Sequence, residues 1–372
     1  MVTCRDVIEI IEQFAPRDLA ADWDNIGLQV GDPTREIKSI LVTLDVTEDV
    51  LNEAISLGTG MIVSHHPLIF KPLKNIRSDN GIGKLIAKAL QADILIYAAH
   101  TNADSCTKGV NYCLAKRIGL EDIKVLQQGD TKLYKFVVFV PIGHEAVVRD
   151  AMGEAGAGWL GAYSHCSFMT EGTGSFKPLA GANPYIGKQG QLEEVSEYRI
   201  ESIVPETKLR GLVNKVLEVH PYEEVAYDIY PLENLNSHQG MGRIGKLPKP
   251  LTLGDLAKKI KDDLGCPWVL VSGPCEDYVQ TVAVCGGSGA DLMYLAKARR
   301  AEVLVTADVK YHQALAAKEL GLSIIDAGHN ATERVLIPEL ADYLRIELNK
   351  AGKTVAVYES QINTNPWESL IG

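Results

Sequence analysis

Residues 39–67 read SILVTLDVTEDVLNEAISLGTGMIVSHHP. Ser39–Asp45 is a run of apolar and β-branched residues that stops at an acid. Glu48–Leu57 has helical spacing and ends at Gly58, a residue suited to a helix C-terminus. Met61–Ser64 is a second short apolar run, and His65-His66-Pro67 follows it. Apolar runs without alternation are strands buried on both faces, and strands of this kind separated by helices build a mostly parallel sheet. Outward from this stretch the pattern continues. Ile82–Leu90 reads as helix, Ile94–Ala99 as strand and Thr107–Ile118 as helix. Upstream, Ile8, Ile11 and Phe14 share a helical face behind a cap at Thr3.

The last third repeats the grammar. Val279–Cys285, Val303–Thr306 and Leu322–Asp326 read as strands; Ala290–Arg299, Ala314–Leu320 and Thr332–Leu348 read as helices. Ile62–His66 lines up with Leu304–Asp308, and Ala98–Asp104 with Asp326–Glu333. In both halves a histidine precedes an acid by four residues, His100 with Asp104 and His329 with Glu333. Similar βα units explain the grammar but not these matching strand ends, so two related α/β halves are expected.

Between them the texture changes. Leu133–Val140 (strand), Glu145–Ala155 (helix), a glycine-rich stretch with strands, Tyr198–Ile203 (strand), Glu206–Val219 (helix) and Val225–Pro231 (strand) give the order of a small α+β module of ferredoxin-like type. Asn234–Gly245, NLNSHQGMGRIG, reads as the exit linker. The expected architecture is α/β. Residues 1–130 form the first half, 131–235 the inserted ferredoxin-like domain, and 236–372 the second half, which completes a metal site.

The 372 residues are 46% hydrophobic and 23% charged, the balance of a globular protein rather than a disordered or fibrous one. The net charge of −11 weighs against an electrostatic grip on nucleic acid or an anionic membrane. The first residues, MVTCRDVIEIIEQFAP, carry acids within the apolar stretch and do not read as a signal peptide, and no apolar window is long enough to span a membrane. The seven cysteines contain no C-x-x-C pair, which fits reduced thiols in a cytoplasmic protein.

Of nine histidines, His65, His66, His100, His312 and His329 fall at or near strand ends, accompanied by Asp45, Asp104, Asp308, Asp326 and Glu333. Ligands of open parallel sheets bind beyond the carboxyl ends of the strands, so one face can gather these groups. Imidazole with carboxylate and no thiolate suits zinc, iron(II), manganese or nickel. The number of candidate ligands points to two divalent transition-metal ions, which activate a bridging water and steady a developing oxyanion. Plainer readings stand beside this one. His65-His66 is also a solvated loop pair, His329 with Glu333 a helix N-terminal pair, His312 a polar helix residue, Asp45 a helix cap and Asp326 structural. Cys285–Asp291, CGGSGAD, is a turn whose amides could cradle a phosphate or whose glycines serve close packing. In the insert, His144, His165, His220 and Cys166 lack ligand spacing, and His220–Glu224, HPYEE, reads as a polar turn or interface element. His238 in the linker reads as exposed.

Trp23–Gln29, Ser64–Leu68, His100–Asp104, Thr306–His312 and Gly328–Glu333 together resemble the GTP cyclohydrolase I type 2 homologues, the Ngg-one-interacting-factor-three-like proteins. The resemblance implies a dinuclear site with His65, His66, Asp104, His329 and Glu333 as ligands, Glu333 bridging, and His100 adjacent or an added ligand. It implies a PII- or CutA-like insert, a toroidal homohexamer, a nucleotide-like substrate, and hydrolytic opening of the GTP imidazole ring. His100 or Asp308 would then be the catalytic acid. The family motif often has glycine where this chain has Ala307. Two further readings use the same ligands: a two-metal phosphoesterase, and a non-enzymatic metal-binding or regulatory scaffold.

Overall fold

The first helix, Cys4–Phe14, starts where Thr3 and Asp6 cap each other: the Asp6 amide donates to Thr3 Oγ1 and the Thr3 amide to Asp6 Oδ2. The structure, a computed structural model, describes residues 2–79, 81–129, 132–160, 163–234 and 239–368. It is a mixed α/β protein with three sheets among the described residues. The chain divides into two compact units, Met1–Gly129 with Ser237–Gly372, and Asp130–Asn236.

In the larger unit, one sheet has the strand order Gly27–Val30, Leu95–Ala98, Met61–Ser64, Ser39–Thr43, Ala356–Glu359. All neighbours are parallel except Gly27–Val30, which runs antiparallel to Leu95–Ala98. The three central strands are buried along their whole length, which is why they carry no alternation. Thr43, Ser64 and Ala98 pair in line, so the chain leaves three strands at one edge, immediately before His65 and His100.

The second sheet has the order Leu270–Ser272, Ser323–Asp326, Val303–Thr306, Tyr278–Val284, Gly240–Thr252, Glu121–Gln128. Here too three consecutive strands are parallel and the third has an antiparallel edge partner. Each end of the chain lends an edge strand to the other: Glu121–Gln128 joins the second sheet and Ala356–Glu359 the first. The main apolar core draws on Ile11, Leu95 and Leu114 from one end and on Val282, Val305 and Leu344 from the other.

The linker expected at Asn234–Gly245 is strand from Gly240 onward. Residues 235–238, including His238, lie outside the described residues, but Gly240–Thr252 pairs with two neighbours. Its glycines conceal it: Gly240 and Gly242 adopt positive φ, and a Cβ at Gly240 would stand 2.1 Å from the Gln127 carbonyl. The expected Thr332–Leu348 helix is instead a turn, His329–Glu333, followed by Leu336–Lys350. Pro338 has no amide to donate back to Arg334, so a continuous helix is interrupted and Pro338 sits in the first turn of the second one. Likewise a separate turn, Thr101–Ser105, precedes the helix Val110–Arg117.

The smaller unit has an antiparallel sheet in the order Phe168–Phe176, Glu193–Pro205, Leu133–Pro141, Tyr227–Leu232. Helices Glu145–Glu154 and Glu206–Val219 cover one face, packing Val148, Met152, Leu212 and Val216 on Phe136, Val138, Val140 and Ile200. The order along the chain is βαββαβ. Five of the seven cysteines are buried and none is in a disulfide. Among the described residues no helix is long and apolar enough to cross a membrane.

Candidate metal centre

His65 and His66 follow the strand Met61–Ser64, where Pro67 turns the chain. Their amides still bond the Thr43 and Leu44 carbonyls, so the pair stands rigidly at the sheet edge. The turn brings both imidazoles to one side, with ring centroids 4.9 Å apart. His329 arrives from the other end of the sequence, 5.3 Å from the His66 ring, and His100 lies 5.2 Å from His65 and 5.5 Å from His66.

Each of the four imidazoles is held by its Nδ1. His65 bonds the Ala99 carbonyl at 2.9 Å, His66 bonds Asp45 at 2.7 Å, His100 bonds Asp24 at 2.9 Å and His329 bonds Asp308 at 2.7 Å. With Nδ1 engaged by these acceptors, Nε2 is the ring nitrogen left to face the centre, the arrangement that outer carboxylates and carbonyls impose on metal-binding histidines. Thr364 Oγ1 donates to the second oxygen of Asp45 at 2.5 Å, and Thr101 donates to Asp24 through its amide and hydroxyl.

Glu333 lies at the middle. Its Oε2 is 2.9 Å from His66 Nε2, 3.0 Å from His329 Nε2 and 3.9 Å from His65 Nε2. Oε2 is nonetheless buried without a hydrogen-bond partner. His65 Nε2 and Asp104 Oδ1, 3.6 Å apart, are likewise buried and unsatisfied. Buried polar atoms are otherwise almost always paired. Three orphaned donor atoms close to one another therefore fit the ligand set of a cation. The ligand atoms fall into three groups within 4.8 Å: His65–His66–His100, His66–His329–Glu333 and His65–Asp104–Glu333. Glu333 is shared by the last two.

The electrostatics follow from crowding. Burial opposes the charge on Glu333, but the adjoining His329, His65 and His66 hold its carboxyl well below the usual carboxylate range. Burial also opposes protonation of His66, yet Asp45 and Glu333 push it up to about 10. Glu333, against some desolvation, brings His329 up to about 9, with Asp308 adding to it. Asp104 is raised to about 7 because burial outweighs the attraction of His65. Asp24, although buried, is lowered to about 2 by His100 and Thr101.

The remaining candidates fall elsewhere. Asp45 and Asp308 stand behind His66 and His329; the cap of the helix Glu48–Ser56 is Thr47. Asp326 accepts the amides of Val309 and Gly328 and so shapes the loop that carries His329. His312 is exposed on the helix Tyr311–Glu319, against the Tyr311 ring. His100 and Asp104 do not share a ligand group, because His100 only caps the turn Thr101–Ser105 and its ring is turned to Asp24. Asp24, which no spacing singled out, is the partner of His100 that the sequence concealed; its place in Trp23–Gln29 was the one signal.

The Cys285–Asp291 turn serves packing. The amides of Gly286, Gly287 and Gly289 are taken by Asn111, Thr332 and Thr306. A Cβ on Gly287, at φ +59°, would meet Glu333 Oε1 at 2.2 Å. The glycines are what let this loop press against the central carboxylate. Ala307 is accommodated because positive φ falls on the next residue, Asp308, at +55°.

The family model for DUF34/NIF3 (NGG1p interacting factor 3) matches residues 2–366. A protein of Halalkalibacterium halodurans named GTP cyclohydrolase 1 type 2 homolog is 44% identical over 362 residues, 97% of both chains. A Bacillus subtilis protein of the same name is 43% identical over 370 residues, 99% of both. Among solved structures, a Bacillus cereus protein related to NIF3 superposes with a TM-score of 0.89 at 43% identity, covering 99% of both chains. The Staphylococcus aureus protein SA1388 superposes at 0.80 with 32% identity, also covering 99% of both chains. A match along nearly the whole chain, carried by relatives of this similarity, means that the chain belongs to the DUF34/NIF3 family.

Proposed function

We propose that this chain is a hydrolase dependent on two transition-metal ions, acting on the purine ring of a guanine nucleotide. The observation that carries the metal reading is the convergence of His65 Nε2, Asp104 Oδ1 and Glu333 Oε2, three buried atoms without partners. A carboxylate common to two ligand groups is one that would let Glu333 serve two ions. Imidazole nitrogen and carboxylate oxygen suit zinc, iron(II) or manganese. When bound, such ions supply Lewis acidity and a water of lowered pKa.

The chain's own residues supply orientation and proton handling. Asp45, Asp308 and the Ala99 carbonyl keep the ligand imidazoles in one tautomer. Asp308 is engaged by His329 at 2.7 Å, which suits positioning better than proton delivery. His100, backed by Asp24, is then the residue to pass a proton from Nε2 to the departing ring nitrogen. One water opens the imidazole ring to a formamide; a second water releases formate. The guanine substrate is taken from the name that the relatives carry.

The test is turnover. Purified protein loaded with manganese, iron(II) or zinc is incubated with GTP and assayed for formate and for inorganic phosphate. Formate is expected. Phosphate alone would make the centre a phosphoesterase, and neither product from metal-loaded protein would overturn the hydrolase reading.

A further inference from the structure

The smaller unit holds a cavity of about 710 Å³, within the size range of small-molecule sites. Phe136, Val138, Val140 and Ile200 face the two helices. Strand alternation therefore puts Phe139, Glu197 and Arg199, which line the cavity, on the opposite face of the sheet. Three more rings belong to its wall: Phe176 lies 5.9 Å and Tyr185 6.3 Å from the Tyr222 ring.

Glu197 is the polar group of interest. It is 8% exposed and takes a hydrogen bond from Tyr222 Oη at 2.8 Å on Oε1. Its neighbour Arg199 pairs instead with Glu201 at 3.1 Å, as does Lys135. Among the described residues no cation pairs with Glu197. A buried carboxylate without a counter-ion is costly. The surroundings keep it that way: a Cβ at Gly174 would stand 2.1 Å from Oε2, so glycine leaves the oxygen room.

The aromatic wall is fixed in place. His220 donates from Nε2 to the Phe139 carbonyl at 2.9 Å and accepts the Tyr222 amide on Nδ1 at 3.1 Å, so it is neutral and sets the Tyr222 turn. His144 Nε2 holds Tyr185 Oη at 3.0 Å. The Asn183 amide bonds Glu223 at 2.8 Å, tying the covering loop to the HPYEE turn. The motif read from sequence as a polar turn is thus one wall of the cavity.

We propose that this cavity binds a small organic ammonium ion with an apolar body. Ring faces and a buried carboxylate both attract positive charge, and apolar walls favour an organic cation over a hydrated one. An anion would meet Glu197. A bare divalent ion would find one buried carboxylate among rings, not an oxygen cage.

The test uses the full chain and titration calorimetry with choline, phenyltrimethylammonium and 3,3-dimethylbutan-1-ol, the neutral isostere of choline. Saturable binding of one cation per chain is expected, with the isostere about tenfold weaker or worse. Glu197→Gln should weaken the cations by a similar factor. Tyr185→Ala, at a half-exposed ring whose loss opens no core, should weaken them several-fold. Glu333→Ala, in the metal centre, should bind them unchanged. The proposal falls if no cation saturates, if the isostere binds equally, or if both cavity variants bind like the parent. It also falls if zinc or manganese alone fills the site, or if Glu197→Gln changes the particle mass by light scattering while no probe binds, the signature of a face covered by a second copy.

Discussion

Glu333 bears the largest share of the proposed metal centre, since its Oε2 is near three imidazoles and satisfied by none. Glu333→Ala and His329→Ala should each abolish metal loading while circular dichroism stays native; full occupancy by elemental analysis would defeat the ligand assignment. Asp45→Asn and Asp308→Asn act one step back. Each should lower metal affinity about 10–100-fold without removing a ligand, read by competition with a chelating dye. His100→Gln should retain the metal and lower turnover by about 10²–10⁴. The pH dependence has a definite sign. His66 at about 10 and His329 at about 9 lie above the unfolded value of about 6.5. In the metal-free chain their ionic contribution is fully present below about pH 6.5 and is lost as the pH rises through those values. A metal ion must displace the same protons, so its affinity should climb with pH over that interval. The thermal shift on adding zinc or manganese should therefore be larger at pH 8.5 than at pH 6; a flat profile would count against these protonation states.

Short elements deliver the candidate ligands, and two glycine-dependent ones explain how. Gly287 combines positive φ with a Cβ position 2.2 Å from Glu333 Oε1. Gly287→Ala should destabilise the fold by about 1–3 kcal/mol and reduce metal occupancy by displacing that carboxylate. Gly60→Ala is the control: its Cβ would meet nothing closer than 3.7 Å, and the change should stay within about 0.5 kcal/mol. Denaturant unfolding with metal analysis separates the two. The strand Gly240–Thr252 depends on Arg243, whose buried guanidinium donates to the carbonyls of Gly240, Gly242 and Cys106. That bond ties the strand to the turn carrying Asp104. The strands Met61–Ser64 and Val303–Thr306 were legible because burial on both faces leaves an unbroken apolar run. Gly240–Thr252 was not, because its glycines and its core arginine imitate a polar linker.

At the scale of the whole molecule, the proposed metal centre joins parts of the chain that form one compact unit, so metal binding should be linked to stability. Metal at about 100 times its Kd should add about 2.7 kcal/mol, raising Tm by several degrees, and a chelator should reverse it. Scanning calorimetry with and without chelator checks this; an unchanged transition would mean that the cluster holds no ion in solution. The histidine-acid pairs at matching strand ends, and hence the candidate ligands, were readable from the sequence, because strand and helix periodicity are local and residues beyond strand ends have predictable positions. So was the βαββαβ order of the smaller unit. Tertiary structure alone decided that Asp45 faces an imidazole rather than capping a helix, that Asp24 and Asp308 also stand against imidazoles, that the glycine loop packs on Glu333 rather than offering its amides, and that each end of the chain lends an edge strand to the other's sheet. Such choices depend on which groups meet across 21 to 77 or more residues of chain, and no local pattern encodes a meeting at that separation.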